Sequence, residues 1–191
     1  RGGDEGVLAL HLSKQLSATY ANACVAAGVF DGQVRVLDTK NIGMVLGFAA
    51  LNAAEAAQQG ADLDAVVAVA EESLQNSSLW LYVHQLDVLR KGGRLSVGQA
   101  LLTSTLAIKP ILQLAEGKLT LAAKTRTQAK AMDRVVNFVR RLVIDEAVQA
   151  SGNPRAVHIA VHHSDAEEQA VDLSARIGEM VEDLNQLKAP T

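Results

Sequence analysis

Apolar and polar positions follow one another along this chain in two rhythms, one close to two residues and one close to 3.6. Val7-Leu8-Ala9-Leu10-His11-Leu12 is a nearly continuous apolar run, the pattern of a strand buried on both faces of a parallel sheet. The segment from Ser13 to Tyr20 is rich in hydroxyls, and an Ala-rich helix continues to about Ala27, where Gly28 ends it. Val34 to Leu37 reads as a second short strand, broken by Asp38-Thr39-Lys40-Asn41 before a long Ala-rich helix from about Ile42 to Gln59. After Gly60, Ala61-Asp62-Leu63-Asp64 opens a helix to about Gln75, with Leu63, Val66, Val67, Ala70 and Leu74 along one face. Leu79 to Val83 is the next strand, and a short helix from His84 to Arg90 delivers the chain to Gly92.

Leu95 to Ala107 is again helix-like. Ile108 to Leu114 and Lys118 to Lys124 are short apolar runs split by Glu116-Gly117, which predicts a β-hairpin with a glycine turn. Pro110 makes the first of these an edge strand or marks where it begins. Thr127 to Ala150 is a long amphipathic helix with Met132, Val135, Val136, Val139, Leu142 and Val143 along its buried stripe, and with Lys130, Arg134, Arg140 and Arg141 solvated. Gly152-Asn153-Pro154 is a turn, Ala156 to His162 a final strand, and Ser164-Asp165 caps a last helix from Ala166 to about Leu187. Strands and helices that alternate from Val7 to Ala70 argue for a parallel layer, and the hairpin for antiparallel strands. The expected architecture is one α/β domain over residues 1–191, with a mixed sheet and helices packed on its faces.

Composition narrows the class. With 191 residues, 49% of them apolar and 20% charged, the chain has the make-up of an ordinary soluble globular protein and not of a disordered, fibrous or nucleic-acid-like one. A formal net charge of −3 gives no long-range pull toward nucleic acid or an anionic membrane. A single cysteine, Cys24, can form neither an internal disulfide nor a zinc motif, so a reducing cytoplasm is the expected compartment. No apolar run approaches the ~20 residues of a membrane span, and no signal peptide is expected. The chain opens at Arg1 and reaches an apolar run by Val7, which predicts further sequence in front of it.

Three segments could carry chemistry. Gly92-Gly93 lets the backbone approach another surface, and Arg94 is a fixed-charge, multi-donor group suited to carboxylate or phosphate. With Ser96 capping the next helix, backbone donors and Arg94 would face one anion; equally, Gly92-Gly93 is a helix C-cap and Arg94 a solvated charge. The turn around Ser13 and Ser17 can hold an anion, or either serine can simply cap the following helix. Asp38-Thr39 ends a strand, where ligands of open α/β sheets gather, or it supplies a helix cap together with Asn41. His84 reads as a packing or capping residue. His158, His162 and His163 suggest a metal, but alternation puts His158 and His162 on one strand face and His163 on the other with no third ligand defined, so no metal site is expected. No Walker loop, Mg²⁺-binding acidic cluster or nucleophile–His arrangement is apparent.

Taken in order, Lys91-Gly92-Gly93-Arg94-Leu95-Ser96, Ile108-Lys109-Pro110-Ile111, Gly117-Lys118-Leu119 and Thr125-Arg126-Thr127 closely resemble the DegV family of bacterial fatty-acid-binding proteins. His11-Leu12-Ser13-Lys14-Gln15-Leu16-Ser17-Ala18-Thr19-Tyr20 is similar to that family's His-Leu-Ser-Ser-x-Leu-Ser-Gly-Thr-Tyr, with Lys14 in place of the second serine and Ala18 in place of glycine. The resemblance runs from about His11 to Leu173. It implies a DegV-like (EDD) fold and a protein that buries a long-chain fatty acid in an apolar tunnel. The carboxylate is presented to a separate kinase, whose acyl phosphate feeds phospholipid synthesis. The chain itself would hold no cofactor or catalytic residue, bind no nucleic acid and make no stable membrane insertion.

On the same resemblance Ser17 contacts the carboxylate, with Ser13 and Thr19 in its turn, Thr39 at the second strand end, and Gly92, Gly93 and Arg94 near the entrance. Arg126 lies on the surface that meets the kinase. The helix from Ile42 and the segment from Leu101 to Ile108 are candidates for the tunnel wall, and His163 matches a single family histidine with no metal implied. The family also has an N-terminal domain with a Thr-Ser-Gln-Pro-like motif and a C-terminal His-Thr-Gly-Pro-Gly-like segment. This chain is expected to begin after the first and stop before the second, as the larger part of a two-domain protein. The rival readings are a small-molecule phosphotransferase related in fold to dihydroxyacetone kinases, and a ligand-free interaction fragment.

Overall fold

In the computed structural model, residues 6–84, 86–95, 108–149 and 156–188 are described. The first apolar run forms β1 (Val7–His11), which pairs in parallel with β2 (Val34–Asp38) from Val7↔Val34 to His11↔Asp38. Parallel neighbours need a crossover, and α1 (Thr19–Ala27) lies within it. Two further helices, α2 (Gly43–Gln58) and α3 (Leu63–Gln75), pack on this pair. Their contact is built from Ala53, Val66 and Ala70 against Leu8, Leu10 and Leu37; small side chains let the backbones approach closely. The Asp62 carboxylate starts α3 by accepting from the Ala65 N–H at 2.8 Å.

β1 is half-buried rather than buried on both faces, with Val7 53% exposed. Only the α2–α3 side is closely covered, because α1 contributes no buried side chain.

The second layer is antiparallel. β3 (Trp80–Tyr82), β4 (Lys109–Ala115) and β5 (Lys118–Thr125) lie in the order β3-β4-β5. Glu116 and Gly117 both have positive φ, 47° and 79°, and Ala115 pairs with Lys118. That is the two-residue hairpin whose turn matches the right-handed strand twist. Pro110 therefore lies in a central strand, not an edge. It is tolerated because β3 reaches only Ile111, Leu112 and Gln113 of β4, so no β3 residue faces the proline.

One face of this sheet packs through Ile111 on Ala131, Met132 and Val135 of α5 (Gln128–Gln149). The stripe continues through Val139 to Ile177 and Met180 of α6 (Glu167–Lys188), and Arg176 of α6 is ion-paired with Asp133 of α5. The opposite face is a leucine surface, in which Leu112, Leu114 and Leu119 join Leu95. The short α4 (Asp87–Lys91) packs its Leu89 on that surface.

Parallel and antiparallel strands are thus both present, as expected, but in two separate sheets. Ala156 to His162 is not a strand. Its alternation is right for one, yet a strand exists only as a hydrogen-bonded pair, and this stretch has no partner strand among the described residues, leaving Ile159 39% exposed. At the start of α6 the cap contact among the described residues comes from His163, whose Nδ1 accepts from the Ala166 N–H at 3.4 Å, in place of the expected Ser164-Asp165 cap. The helix expected over Leu95 to Ala107, its Ser96 cap, the 101–107 part of the tunnel wall and the Gly152-Asn153-Pro154 turn fall outside the described residues.

Candidate ligand head-group site

Four backbone segments meet where the carboxyl ends of β1 and β2 face the tip of the antiparallel hairpin. The first is the loop after β1. Ser13 is fully buried, and its N–H donates to the Asn41 carbonyl at 2.9 Å. Its hydroxyl donates to the Gly117 carbonyl at 2.6 Å and accepts the Gln15 N–H at 3.2 Å. The Ser13 carbonyl accepts the N–H groups of Leu16 and Ser17, at 2.9 and 3.1 Å.

Ser17 Oγ accepts the Thr19 N–H at 3.3 Å and donates to no acceptor among the described residues. Ala18 occupies the N-cap position with no side-chain bond, and Ser17, one residue earlier, satisfies the first N–H of α1 through that contact; Ser13 does not cap the helix. Thr19 is exposed at the first turn. Next to it, the Tyr20 phenol is raised above its ordinary pKa, first by hydrogen bonding to the Cys24 thiol, so it stays protonated. The Lys14 ammonium stands over its ring at 5.7 Å.

The loop after β2 holds the first loop in place. Thr39 is 3% exposed; its hydroxyl donates to the His11 carbonyl at 2.8 Å and accepts the Asn41 N–H at 3.2 Å. Asp38 Oδ1 accepts the N–H groups of Lys14 and Lys40 at 3.2 and 3.0 Å, and Lys14 Nζ lies 3.7 Å from its other oxygen. None of these residues caps α2, whose N-cap is Ile42; they tie two strand ends together instead. The Asn41 amide oxygen is buried without a partner among the described residues.

The third segment is the end of α4. Gly92 is its C-cap and Gly93 has φ +71°. The Gly93 N–H donates to the Arg90 carbonyl and the Arg94 N–H to the Leu89 carbonyl, both at 3.0 Å. This pair of bonds is a Schellman ending, which needs a left-handed residue at Gly93. The C-cap reading of the two glycines therefore holds, but Arg94 is not merely solvated. Its Nε donates to the Leu16 carbonyl at 3.2 Å and another nitrogen to the Gly92 carbonyl. Of five N–H donors, three remain unused among the described residues.

The fourth segment is the hairpin turn, with Gly117 buried against Ser13 and Glu116 ion-paired to Lys40 at 3.2 Å. Its part in the site has no signature in the sequence, because Ser13 and Gly117 are 104 residues apart.

Ser13, Ser17, Thr19, Thr39, Gly92, Gly93 and Arg94 are thus brought into one neighbourhood. Arg126 is not. It is exposed at the far end of β5, which is 8 residues long and so about 26 Å from turn to end at ~3.3 Å per residue.

Two apolar regions lie nearby. The leucine surface is continuous with the cluster, because Leu16 and Leu95, chain neighbours of Ser17 and Arg94, both belong to it. The larger opening, about 1190 Å³, lies between α2, β3, α5 and residues 156–166 and is lined by Met44, Phe48, Tyr82, Val139, His158 and Ile159 among others. None of the candidate head-group residues lines it. The α2 helix borders it, whereas Ile42 also packs on the leucine surface. His158 packs on Phe48 with ring centroids 5.5 Å apart. Among the described residues no group of three His, Cys, Asp or Glu is placed to hold a metal, and no helix is long and apolar enough to cross a membrane.

A turn that carries hydroxyl groups and an arginine that reaches it thus stand beside an apolar cluster of the antiparallel sheet. The chain belongs to the DegV family, whose model, described as an uncharacterised protein of the DegV family, matches residues 1–190. It is 42% identical over 174 residues to a DegV domain-containing protein of Corynebacterium glutamicum, covering 91% of this chain and 60% of that protein. Among solved structures it is similar to the DegV family protein Cg2579 from C. glutamicum, with a TM-score of 0.83 and 39% identity over 94% of this chain and 65% of that one. It is also similar to the fatty acid binding DegV family protein SAG1342 from Streptococcus agalactiae, with a TM-score of 0.80 and 28% identity over 93% of this chain and 60% of that one. The chain spans about 60% of the length of the curated relatives it matches.

Proposed function

We propose that the chain binds a long-chain fatty acid in an apolar tunnel, with the carboxylate at the four-segment cluster. The observation that carries this reading is that Arg94 reaches the loop holding Ser17, through the carbonyl of the neighbouring Leu16. The arginine is anchored to the Leu16 carbonyl, and among the described residues it and the serine keep unused N–H and O–H donors next to Leu95 and Leu16 of an apolar cluster. A carboxylate accepts up to about four hydrogen bonds and prefers charged donors. Ser17 and Arg94 contact the carboxylate, Thr19 flanks it, and Ser13, Thr39, Gly92 and Gly93 shape the loops that hold those two. The fatty-acid binding of the S. agalactiae relative supports the ligand class.

In the full protein a separate kinase converts the bound carboxylate to an acyl phosphate for phospholipid synthesis in the cytoplasm, and this chain is the larger part of a two-domain DegV-like protein. Arg126 is the partner-facing residue. Its distance from Ser17 means that a kinase touching both covers the length of the hairpin. No cofactor enters the scheme, and the chain is a carrier rather than an enzyme.

Native mass spectrometry of the full-length protein purified from a bacterial host, followed by denaturing analysis of the released small molecule, tests the ligand class. A bound C14 to C18 fatty acid supports the reading. Its absence from the full-length protein, together with turnover of ATP, would replace it with the phosphotransferase alternative.

A further inference from the structure

We infer that the β4–β5 turn positions the head-group loop, with Gly117 acting through Ser13 on Ser17; this rests on the fatty-acid reading above. The path is short and wholly hydrogen-bonded. The Gly117 carbonyl takes the Ser13 hydroxyl proton at 2.6 Å, and the Ser13 carbonyl takes the Ser17 N–H at 3.1 Å. Ser13 is fully buried, so no solvent competes for its hydroxyl.

Gly117 has no substitute in this geometry. Its φ is +79°, and an added Cβ would lie 2.7 Å from Ser13 Oγ, 3.4 Å from Gln15 Cγ and 3.6 Å from Lys40 Cβ. The glycine is thus required twice, for the left-handed turn and for the close approach. The turn's neighbouring ion pair, Lys40 with Glu116, has side chains 58% and 87% exposed and adds little to the hold. The buried bond is what fixes the hairpin tip on the loop. The antiparallel sheet thereby sets the position of the loop that carries Ser17.

A positioning role is separable from a general structural one by the ligand's head group. Dissociation constants for palmitate and for methyl palmitate are measured on the full-length wild-type protein and on Gly117→Ala and Ser13→Ala. The ester keeps the tail and lacks the charge that strengthens hydrogen bonds to Ser17 and Arg94. The wild type is expected to prefer palmitate. Each variant is expected to lose about tenfold in palmitate affinity, the worth of one such hydrogen bond, with the ester's affinity unchanged within about twofold, a small fraction of that energy.

Parallel losses for both ligands in Ser13→Ala, which removes one atom and strains no backbone, would overturn the inference in favour of a purely structural turn. Unchanged affinities for both would overturn it as well. A wild type with no preference for palmitate refutes the head-group reading itself and the inference with it, and that outcome is recognised before any variant is made.

Discussion

Thr39→Val separates a residue that builds the site from one that touches the ligand. The substitution keeps the side chain's shape at a position 3% exposed and deletes one hydroxyl. The His11 carbonyl that receives this hydroxyl at 2.8 Å also accepts the Thr39 N–H at 3.0 Å, so it stays satisfied. The Asn41 N–H, which donates to the hydroxyl at 3.2 Å, loses its acceptor. The net effect is one orphaned donor beside an Asn41 amide oxygen that is already buried and, among the described residues, unpartnered. A donor stranded in this way costs about 1–3 kcal/mol. With a urea slope of about 1–3 kcal/mol per molar for a small protein, the midpoint should fall by roughly 1 M. Urea denaturation followed by circular dichroism measures the shift, and palmitate titration in the absence of denaturant measures binding. Affinity should change less than threefold, a difference of about 0.7 kcal/mol. An unmoved midpoint, or a large loss of affinity at unchanged stability, would refute the assignment of Thr39 to the clasp between strand ends.

Ser17→Ala is expected to weaken palmitate by about ten- to a hundredfold, one hydrogen bond to a charged group, with stability lowered by no more than the roughly 0.5–2 kcal/mol of a lost helix-start contact to Thr19; equal affinity by titration would remove Ser17 from the carboxylate site. Arg126→Ala should leave fatty-acid affinity untouched, since the residue lies about 26 Å along β5 from the turn, while acyl-phosphate formation by the proposed kinase partner falls. A loss of lipid affinity in that variant would contradict the placement. Ile111→Ala empties a fully buried position against Ala131, Met132 and Val135 and should cost about 2–5 kcal/mol, read from denaturant midpoints; a smaller loss would mean that α5 settles into the space.

Much of this molecule is written locally. The apolar run at Val7, the Ala-rich stretch after Ile42 and the stripe from Met132 to Val143 each fix an element by period alone. Glu116-Gly117 fixes a turn, because few residue pairs tolerate two consecutive positive φ angles. The order of short motifs from Ser13 to Arg126 pointed to the family, and the match over residues 1–190 agrees.

What period and motif could not supply is anything that depends on which elements meet. Ala156 to His162 has a strand's alternation, but pairing requires a neighbour, and the pattern is silent on whether one exists. Pro110 read as an edge residue or as the start of its strand; β4 does begin beside it, at Lys109, but the short reach of β3 that admits a proline in a central strand is invisible in the chain. Ser13 and Ser17 read alike in one turn. Only folding, which carries Gly117 across 104 residues to the Ser13 hydroxyl, makes one serine a buried strut and leaves the other, among the described residues, with a proton it donates to no acceptor. Sequence determines which local conformations and which donors and acceptors are on offer. The tertiary structure decides which of them are consumed internally, because a hydrogen bond made inside the protein is one a ligand cannot use.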